Sequence, residues 1–516
     1  MPEPELRVRD HAGGWRPVRD LDPGRTTSRR GGRVAPTRYV ANRLLVRGRL
    51  DGDDAVVAAV RERAQARGLS IEEVAMELAS SRDGDNPLYA RPGVAFHVTA
   101  GSDSAGDGDV WSLMDEVAEM LGDEDRSRVS LDHVVVGHRY GEGHGVPGSR
   151  LPVQFSGPAP RREYGQGQDV LATSDGVRRP VVAVLDSGIG VHPWFDDQMA
   201  IVLRGATLDG EPLGTGAEDE PLYDAEVRGR RRDRAELLDA YAGHGTFIAG
   251  VVHQVCPDAV ILPVRIFGGD GRVTEWDLAH TLEKLLEFHL RGVAGQVDYH
   301  PVDVAVLSAG FYAEHPEDDD DYDGILRGRL RDLRRAGVLV VLSAGNDGSA
   351  RPNFPAAWSP RVRRLASGVV LADSPGAVCS EYPPLLTVTA ANPDGTLASF
   401  SNDGAWVTAV RPGANVVSTM PTTFDGAVVP WESGDGLRQA VDADNFASGF
   451  GMWSGTSFAA PVLAGELALA LLRHRTVGRR ETGVAPSPAI TSRVADAWAA
   501  VTGVGDLYNE VPAAVM

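Results

Sequence analysis

The pattern of this chain predicts an α/β fold with a mainly parallel sheet, preceded by a smaller α/β domain. Two observations carry that expectation. Five apolar runs that do not alternate, Val181–Leu185, Val260–Ile266, Val302–Leu307, Val338–Leu342 and Leu385–Ala390, are separated by segments with helical spacing. Strands covered on both faces read as continuous apolar runs, and helices on either side of a parallel sheet provide that cover. Upstream, residues 38–140 alternate strand-like and helix-like stretches on the scale of a small split βαβ sandwich. A length of 516 residues also exceeds one ordinary core.

Taken in order, residues 1–37 are rich in Arg and Gly and are expected to be a disordered basic arm. Arg29-Arg30 is not followed by an apolar run, so neither a secretory nor a twin-arginine signal is read there. In the 38–140 domain, Tyr39–Val46 reads as a strand and Asp53–Arg67 as a helix with Gly68 just past its end. The apolar spacing of Ser70–Ser80 fits a helix better than a strand. Val94–Val98 reads as a strand, Asp109–Leu121 as a second helix and Val129–Val136 as a last strand. Residues 141–177, dense in Gly, Pro and Ser, read as a linker, 178–475 as the large domain and 476–516 as a C-terminal extension. Gly214–Glu220 and Glu317–Asp323 look like surface insertions, and no internal repeat is visible.

A net charge of −21, from 51 basic and 72 acidic residues, argues against nucleic acid as a partner. No stretch reaches the length of a membrane span, and the expectation is a cytoplasmic protein without a membrane partner. Cys256 and Cys379 have no CxxC spacing and no close histidines, which argues against a zinc site. Both are expected to be small buried hydrophobes, with one bridge between them left open.

Three short glycine-rich frames carry the chemistry. Asp186 ends an apolar run and leads into Ser187-Gly188, placing a carboxylate where sites form in open α/β sheets. His244 lies between Gly243 and Gly245 at the start of a helical segment. Ser457 follows Gly455-Thr456 and opens the apolar stretch Phe458–Leu472, where a helix N-terminus favours developing negative charge. Taken singly, each has a plain structural reading as a capping Asp, a core His or an N-cap Ser. Together they make a serine nucleophile, a base and a carboxylate that fixes the base's tautomer, in one of several convergent chain orders. A fourth element fits them: the run Val338–Leu342 leads through Ser343-Ala344-Gly345 to Asn346, whose amide is suited to bind an oxyanion.

On these motifs, residues from about 178 to 475 resemble a subtilisin-type serine protease, a subtilase. The resemblance implies a subtilisin-like three-layer fold, a triad of Asp186, His244 and Ser457, and an oxyanion hole of Asn346 with the Ser457 N–H. It implies that Ser308-Ala309-Gly310 is the edge that pairs with an extended substrate. It also implies that Ser343-Ala344-Gly345 line the first pocket, with Asn353 near its base. Residues 38–140 resemble the inhibitory propeptide of such enzymes, with Leu131–Tyr140 as its end, so the N-terminal domain is expected to act as an intramolecular inhibitor and cleavage is expected near Tyr140. The chain departs from the compact pattern in the long Asp186-to-His244 interval, in an insertion over Met420–Met452 and in Arg411 of Val410-Arg411-Pro412-Gly413.

The chemistry requires no cofactor. Many such enzymes bind calcium, but Asp319–Gly324 matches only the start of a calcium loop, with Leu330 where a bidentate Glu is needed, so ligands stay unassigned. Glu314, Glu317, Asp318–Asp321, Asp323 and Asp347 predict a mild preference for basic residues near the scissile bond. Two other readings stand beside an endopeptidase acting on proteins or peptides: a pseudoprotease scaffold, and a permanent partner-binding role for residues 38–140.

Overall fold

The computed structural model describes residues 6–507 except 12, 25, 27–33, 48–53, 77–92, 101–108, 139–149, 155–156, 168, 170, 196–200, 316–323, 365–369, 373–377, 427–445 and 483–488. In the N-terminal part, strands β1 (Arg7–Arg9), β2 (Trp15–Leu21), β3 (Thr37–Arg47), β4 (Leu69–Ala75), β5 (Gly93–Ala100) and β6 (Val129–Gly137) pair antiparallel around β3. Helices α1 (Ala55–Ala66) and α2 (Val110–Met120) cover this sheet, burying Val56, Val60, Leu113 and Met114 against Leu44, Val46, Phe96 and Leu131. Asp54 caps α1 by accepting from the N–H groups of Val56 and Val57.

Two expectations change here. The segment expected to be helical from Ser70 is strand β4, paired with β5 at every residue from Leu69 to Ala75. Its burial alternates, and exposed Val74 gave the apolar residues their helix-like spacing. Arg7–Arg9 and Trp15–Leu21, expected within a disordered arm, are strands β1 and β2. Val8 and Val18 pack on Val40 and Val134, a period-two pattern hidden among the arginines.

The large domain runs β7 (Val181–Asp186), α3 (His244–Val255), β8 (Val260–Arg265), β9 (Arg272–Thr274), α4 (Glu275–Val293), β10 (Val304–Leu307), β11 (Ala309–Gly310), α5 (Ile325–Arg335), β12 (Leu339–Ser343), β13 (Leu385–Ala391), β14 (Ala409–Pro412), β15 (Val416–Thr419), β16 (Phe450–Trp453), α6 (Thr456–Thr482) and α7 (Ile490–Gly503). Six strands form a parallel sheet in the order β8-β7-β10-β12-β13-β14. Val182, Val184, Val304 and Val306 join one core with Phe247 and Leu463, while Val181, Ala183, Leu185 and Leu307 join another with Leu282 and Leu330. Both faces of each strand are covered, which is why the runs do not alternate. The architecture is the expected three-layer, subtilisin-like α/β fold.

The predicted boundaries need adjustment. Helix α6 continues past residue 475 to Thr482 and α7 packs beside it. Part of the expected linker is fixed to the large domain: Leu151–Pro152 pairs with β16, and Arg150 donates to the carbonyls of Ala242 and Asp239. The segment Thr456–Glu481 is long and apolar enough to cross a membrane by length and composition, contrary to the expectation that no stretch is. Because 72% of its apolar window is buried within the fold, it reads as the core helix. Both cysteines are free; Cys256 is buried and Cys379 only partly so.

Asp303 ties these ends together. Fully buried, it lies 2.7 Å from Arg178, 2.7 Å from Arg475 and 3.0 Å from Arg493, and these guanidinium groups outweigh burial to hold its carboxyl well below the usual range. Asp303→Ala leaves buried arginines uncompensated and is expected to cost about 3–5 kcal/mol, the usual loss for breaking a buried ion pair. Denaturant unfolding of the variant beside wild type measures this, and a loss under about 1 kcal/mol, the scale of a surface pair, contradicts it.

Candidate active site

All six parallel strands point the same way, and the side chains singled out from the sequence gather at their carboxyl ends. Asp186 is the last residue of β7 and His244 the first of α3. His244 Nδ1 lies 2.7 Å and 2.9 Å from the two Asp186 oxygens, and the Ser187 N–H donates to Oδ1 at 2.8 Å. A donor at Nδ1 leaves Nε2 as the ring's acceptor, and this buried atom has no hydrogen-bond partner among the described residues. The glycine frame is steric. Gly243 turns the chain at φ 77°, and a Cβ on Gly245 would stand 2.2 Å from the Gly188 carbonyl.

Behind this pair sits a residue that sequence reasoning missed. Glu226, fully buried in the long Asp186-to-His244 interval, lies 2.6 Å from the Ser187 hydroxyl and 2.5 Å from that of Thr246 on α3. Ser187 also accepts from the Gly245 N–H at 2.9 Å, so Glu226 braces both the Asp186 and the His244 frames. Burial outweighs these hydrogen bonds and raises its carboxyl to about 7. No local pattern marked this residue.

Ser457 is the second residue of α6 and fully buried. Pro461, four residues on, has no N–H to offer the Ser457 carbonyl; the Ser308 hydroxyl donates to it instead, at 3.3 Å. Asn346 follows β12. Its Oδ1 accepts from the Thr456 N–H at 2.8 Å and the Thr456 hydroxyl at 2.9 Å, which fixes the amide with Nδ2 directed elsewhere and unpartnered among the described residues.

Strand β6 of the N-terminal sheet lies in the cleft between β9 and β11. It pairs antiparallel with both, Val136 opposite Arg272 on one edge and Gly310 on the other. The strand ends at Gly137 and is followed by His138, whose N–H donates to the Ser308 carbonyl at 2.8 Å and whose own carbonyl accepts from the Ser457 hydroxyl. The residue brought to Ser457 is therefore His138; the Tyr140 anticipated from the sequence lies outside the described residues. The buried His138 ring places Nδ1 2.7 Å from Ser343 Oγ, with Asn353 beside it. Of the expected pocket residues, Ser308, Ala309, Gly310, Ser343 and Asn353 meet β6 or His138. Ala344 and Gly345 instead bond to the Val388 carbonyl and the Thr456 hydroxyl.

The acidic residues behave differently from expectation. Glu314 is buried away from the pocket, 2.8 Å from Nε2 of His133 on β6, while Glu275 lies 2.9 Å from Nδ1. Asp347 is exposed and accepts from the Tyr312 hydroxyl at 2.6 Å. Residues 316–323, with most of the acidic run and the start of the calcium-like loop, lie outside the described residues; Leu330 is a core residue of α5.

A model of the Subtilase family matches residues 178–484. The major intracellular serine protease of Bacillus subtilis (strain 168) is 25% identical over 303 residues, covering 56% of this chain and 67% of that protein. Subtilisin BL of Lederbergia lenta is 26% identical over 308 residues, covering 58% and 77%. Among solved structures, fervidolysin from Fervidobacterium pennivorans, a keratinolytic enzyme related to subtilisin, aligns at 18% identity with a TM-score of 0.44, over 84% of this chain and 55% of its own.

The contact between β6 and the large domain is charged and buried, so it responds to pH. Burial alone lowers the His133 ring, but Glu314 and Glu275 outweigh it and hold the pKa at about 10. Burial raises Asp132 to about 7, against the pull of Arg43. Both values stand above the ordinary 6.5 and 3.8, so both contributions are complete at low pH and are lost as pH rises, His133's between 6.5 and 10. Glu314 works oppositely: held at about 2 by His133 despite burial, it loses its contribution only as pH falls below 4.5. Stability of the full chain is thus expected to fall from about pH 6.5 to 9.5, less steeply in His133→Gln. Denaturant midpoints across that range decide it; equal slopes in the two proteins contradict the assignment.

Proposed function

The chain belongs to the subtilase family of serine proteases, and we propose that it is an endopeptidase working through Asp186, His244, Ser457 and Asn346 and restrained by its own N-terminal domain. Its substrates are peptides or proteins. The observation that carries this reading is the carbonyl of an extended strand resting on Ser457 Oγ while that strand is hydrogen bonded along both edges, which is the pose of a substrate.

In this mechanism Ser457 Oγ bonds to the carbonyl carbon as its proton passes to His244 Nε2. Asp186, still ionised, steadies the imidazolium. The electron pair displaced onto the carbonyl oxygen meets Asn346 Nδ2, a buried donor without a hydrogen-bond partner among the described residues. Collapse breaks the C–N bond, and the amine leaves with the proton from His244. A water molecule then repeats the sequence on the acyl ester, giving the carboxylic acid and restoring Ser457. Glu226 keeps the Asp186 and His244 frames in register and takes no part in proton transfer.

The same strand explains the restraint. While Val134–His138 fills the cleft, another chain cannot pair with β9 and β11. Self-cleavage after His138 separates the N-terminal part covalently, and the buried His133 ion cluster favours its staying docked as a bound inhibitor or a lasting partner surface.

Ser457→Ala is expected to remain at full length, 54.9 kDa, while wild type divides in two by intact mass. Ser457→Ala and His244→Ala should each lower peptide hydrolysis by several orders of magnitude, and the double variant should be barely worse, because the residues act as a unit. Additive losses contradict that unit. Asn346→Ala is expected to lower kcat by about 10²–10³, the loss known for such a donor in this family, with little change in KM. A change confined to KM removes Asn346 from the oxyanion role.

A further inference from the structure

We infer that the first pocket of this site selects an uncharged histidine side chain, so that the enzyme cuts its own chain after His138 and prefers histidine at the same position in other substrates. The inference rests on the serine protease reading above and adds the substrate residue that the pocket recognises.

The pocket is shaped and wired for an imidazole. The His138 ring is fully buried, in line with the scissile carbonyl, and Nδ1 sits at hydrogen-bond distance, 2.7 Å, from Ser343 Oγ. A hydroxyl donates or accepts as its partner requires, so it suits either tautomer of a neutral ring. On the far side, a Cβ built on Gly310 would stand 2.0 Å from Asn353 Oδ1 and 2.7 Å from His138 Nε2, so both atoms border the glycine, and neither has a hydrogen-bond partner among the described residues. Any side chain at 310 would fill the space the ring needs. The pocket thus offers a neutral hydroxyl to Nδ1 and sets the neutral Asn353 amide on the Nε2 side.

The alternatives fit less well. Arginine brings five donors and a fixed charge, yet Glu314 is committed to His133 and Asp347 is exposed and bound to Tyr312. Phenylalanine fills the volume but takes from the buried Ser343 hydroxyl its ring partner, a cost that discriminates against an apolar analogue. The titratable groups facing the ring are Asp347, which favours its charged form, and His244, which opposes it. Burial dominates both and lowers His138 to about 4, so the bound ring is neutral.

Two measurements on the full-length chain test this. The first is the fragment ends after self-cleavage: one fragment ending at His138 and the other beginning at Arg139 supports the inference, and any other cut overturns it. The second uses fluorogenic peptides Val-Val-Gly-X with X = His, Phe, Arg or Ala, assayed once self-cleavage is complete. At pH 8 the expected preference in kcat/KM for His over Phe and over Arg is roughly tenfold, the scale of one or two neutral hydrogen bonds. Ser343→Ala should narrow the His-to-Phe ratio. In wild type that ratio should fall through KM as pH drops below about 6.5, where the free peptide's imidazole gains its proton. Equal or faster hydrolysis of the Phe or Arg peptide by a chain that labels with a fluorophosphonate overturns the pocket assignment alone. A chain that stays uncut, does not label and hydrolyses none of the peptides removes the serine protease reading and this inference together.

Discussion

Strand β6 is the element on which the arrangement of this protein depends. It is at once a strand of the N-terminal sheet, through β3, and the strand lying between β9 and β11 of the large domain. A strand hydrogen bonded on both edges has a single workable register, because a slip of one residue turns every side chain to the opposite face. That register seats His133 between Glu275 and Glu314, points Val134 at the first strands of the chain, and sets the His138 carbonyl, just past the strand, on Ser457. Domain packing and the occupancy of the site are one interaction.

Around that strand several buried charges are held in ion pairs, as a low-dielectric interior favours. His133 bridges two carboxylates across the domain contact, and Asp303 gathers arginines from three separate segments at the opposite end of the parallel sheet. The site holds two atoms of another kind. His244 Nε2 and Asn346 Nδ2 have no hydrogen-bond partner among the described residues, and each is the atom that proton transfer or oxyanion binding would use. Unmet hydrogen-bonding capacity held in place by a fully bonded frame is how a site keeps its interactions for the transition state. The backbone follows the same economy: Pro461 gives up a helical hydrogen bond and Ser308, beside β6, replaces it.

Much of this was legible in the residues alone, for a local reason. Asp186, His244, Asn346 and Ser457 each stand where an apolar run ends or a helix begins, and each is framed by glycine or small residues, so periodicity and turn chemistry locate them one at a time. The parallel sheet was legible likewise, since a strand buried on both faces carries no polar alternation. Strand β4 and the first two strands failed this test. Their period of two was broken by an exposed Val74 in one case and crowded by arginines in the others, and only pairing with a neighbouring strand settled their state.

What the tertiary structure decided are the partnerships that cross long stretches of chain. His138 meets Ser343 and Ser457 from 205 and 319 residues away, and Glu226 acquires its role only when Ser187 and Thr246 fold against it. Glu314 is acidic in any reading of the sequence, yet the fold assigns it to His133 and away from the pocket. Local sequence determines which element a residue enters and which face it shows. Which residue lies opposite another across a strand pair depends on register, and register is set by the packing of the whole sheet.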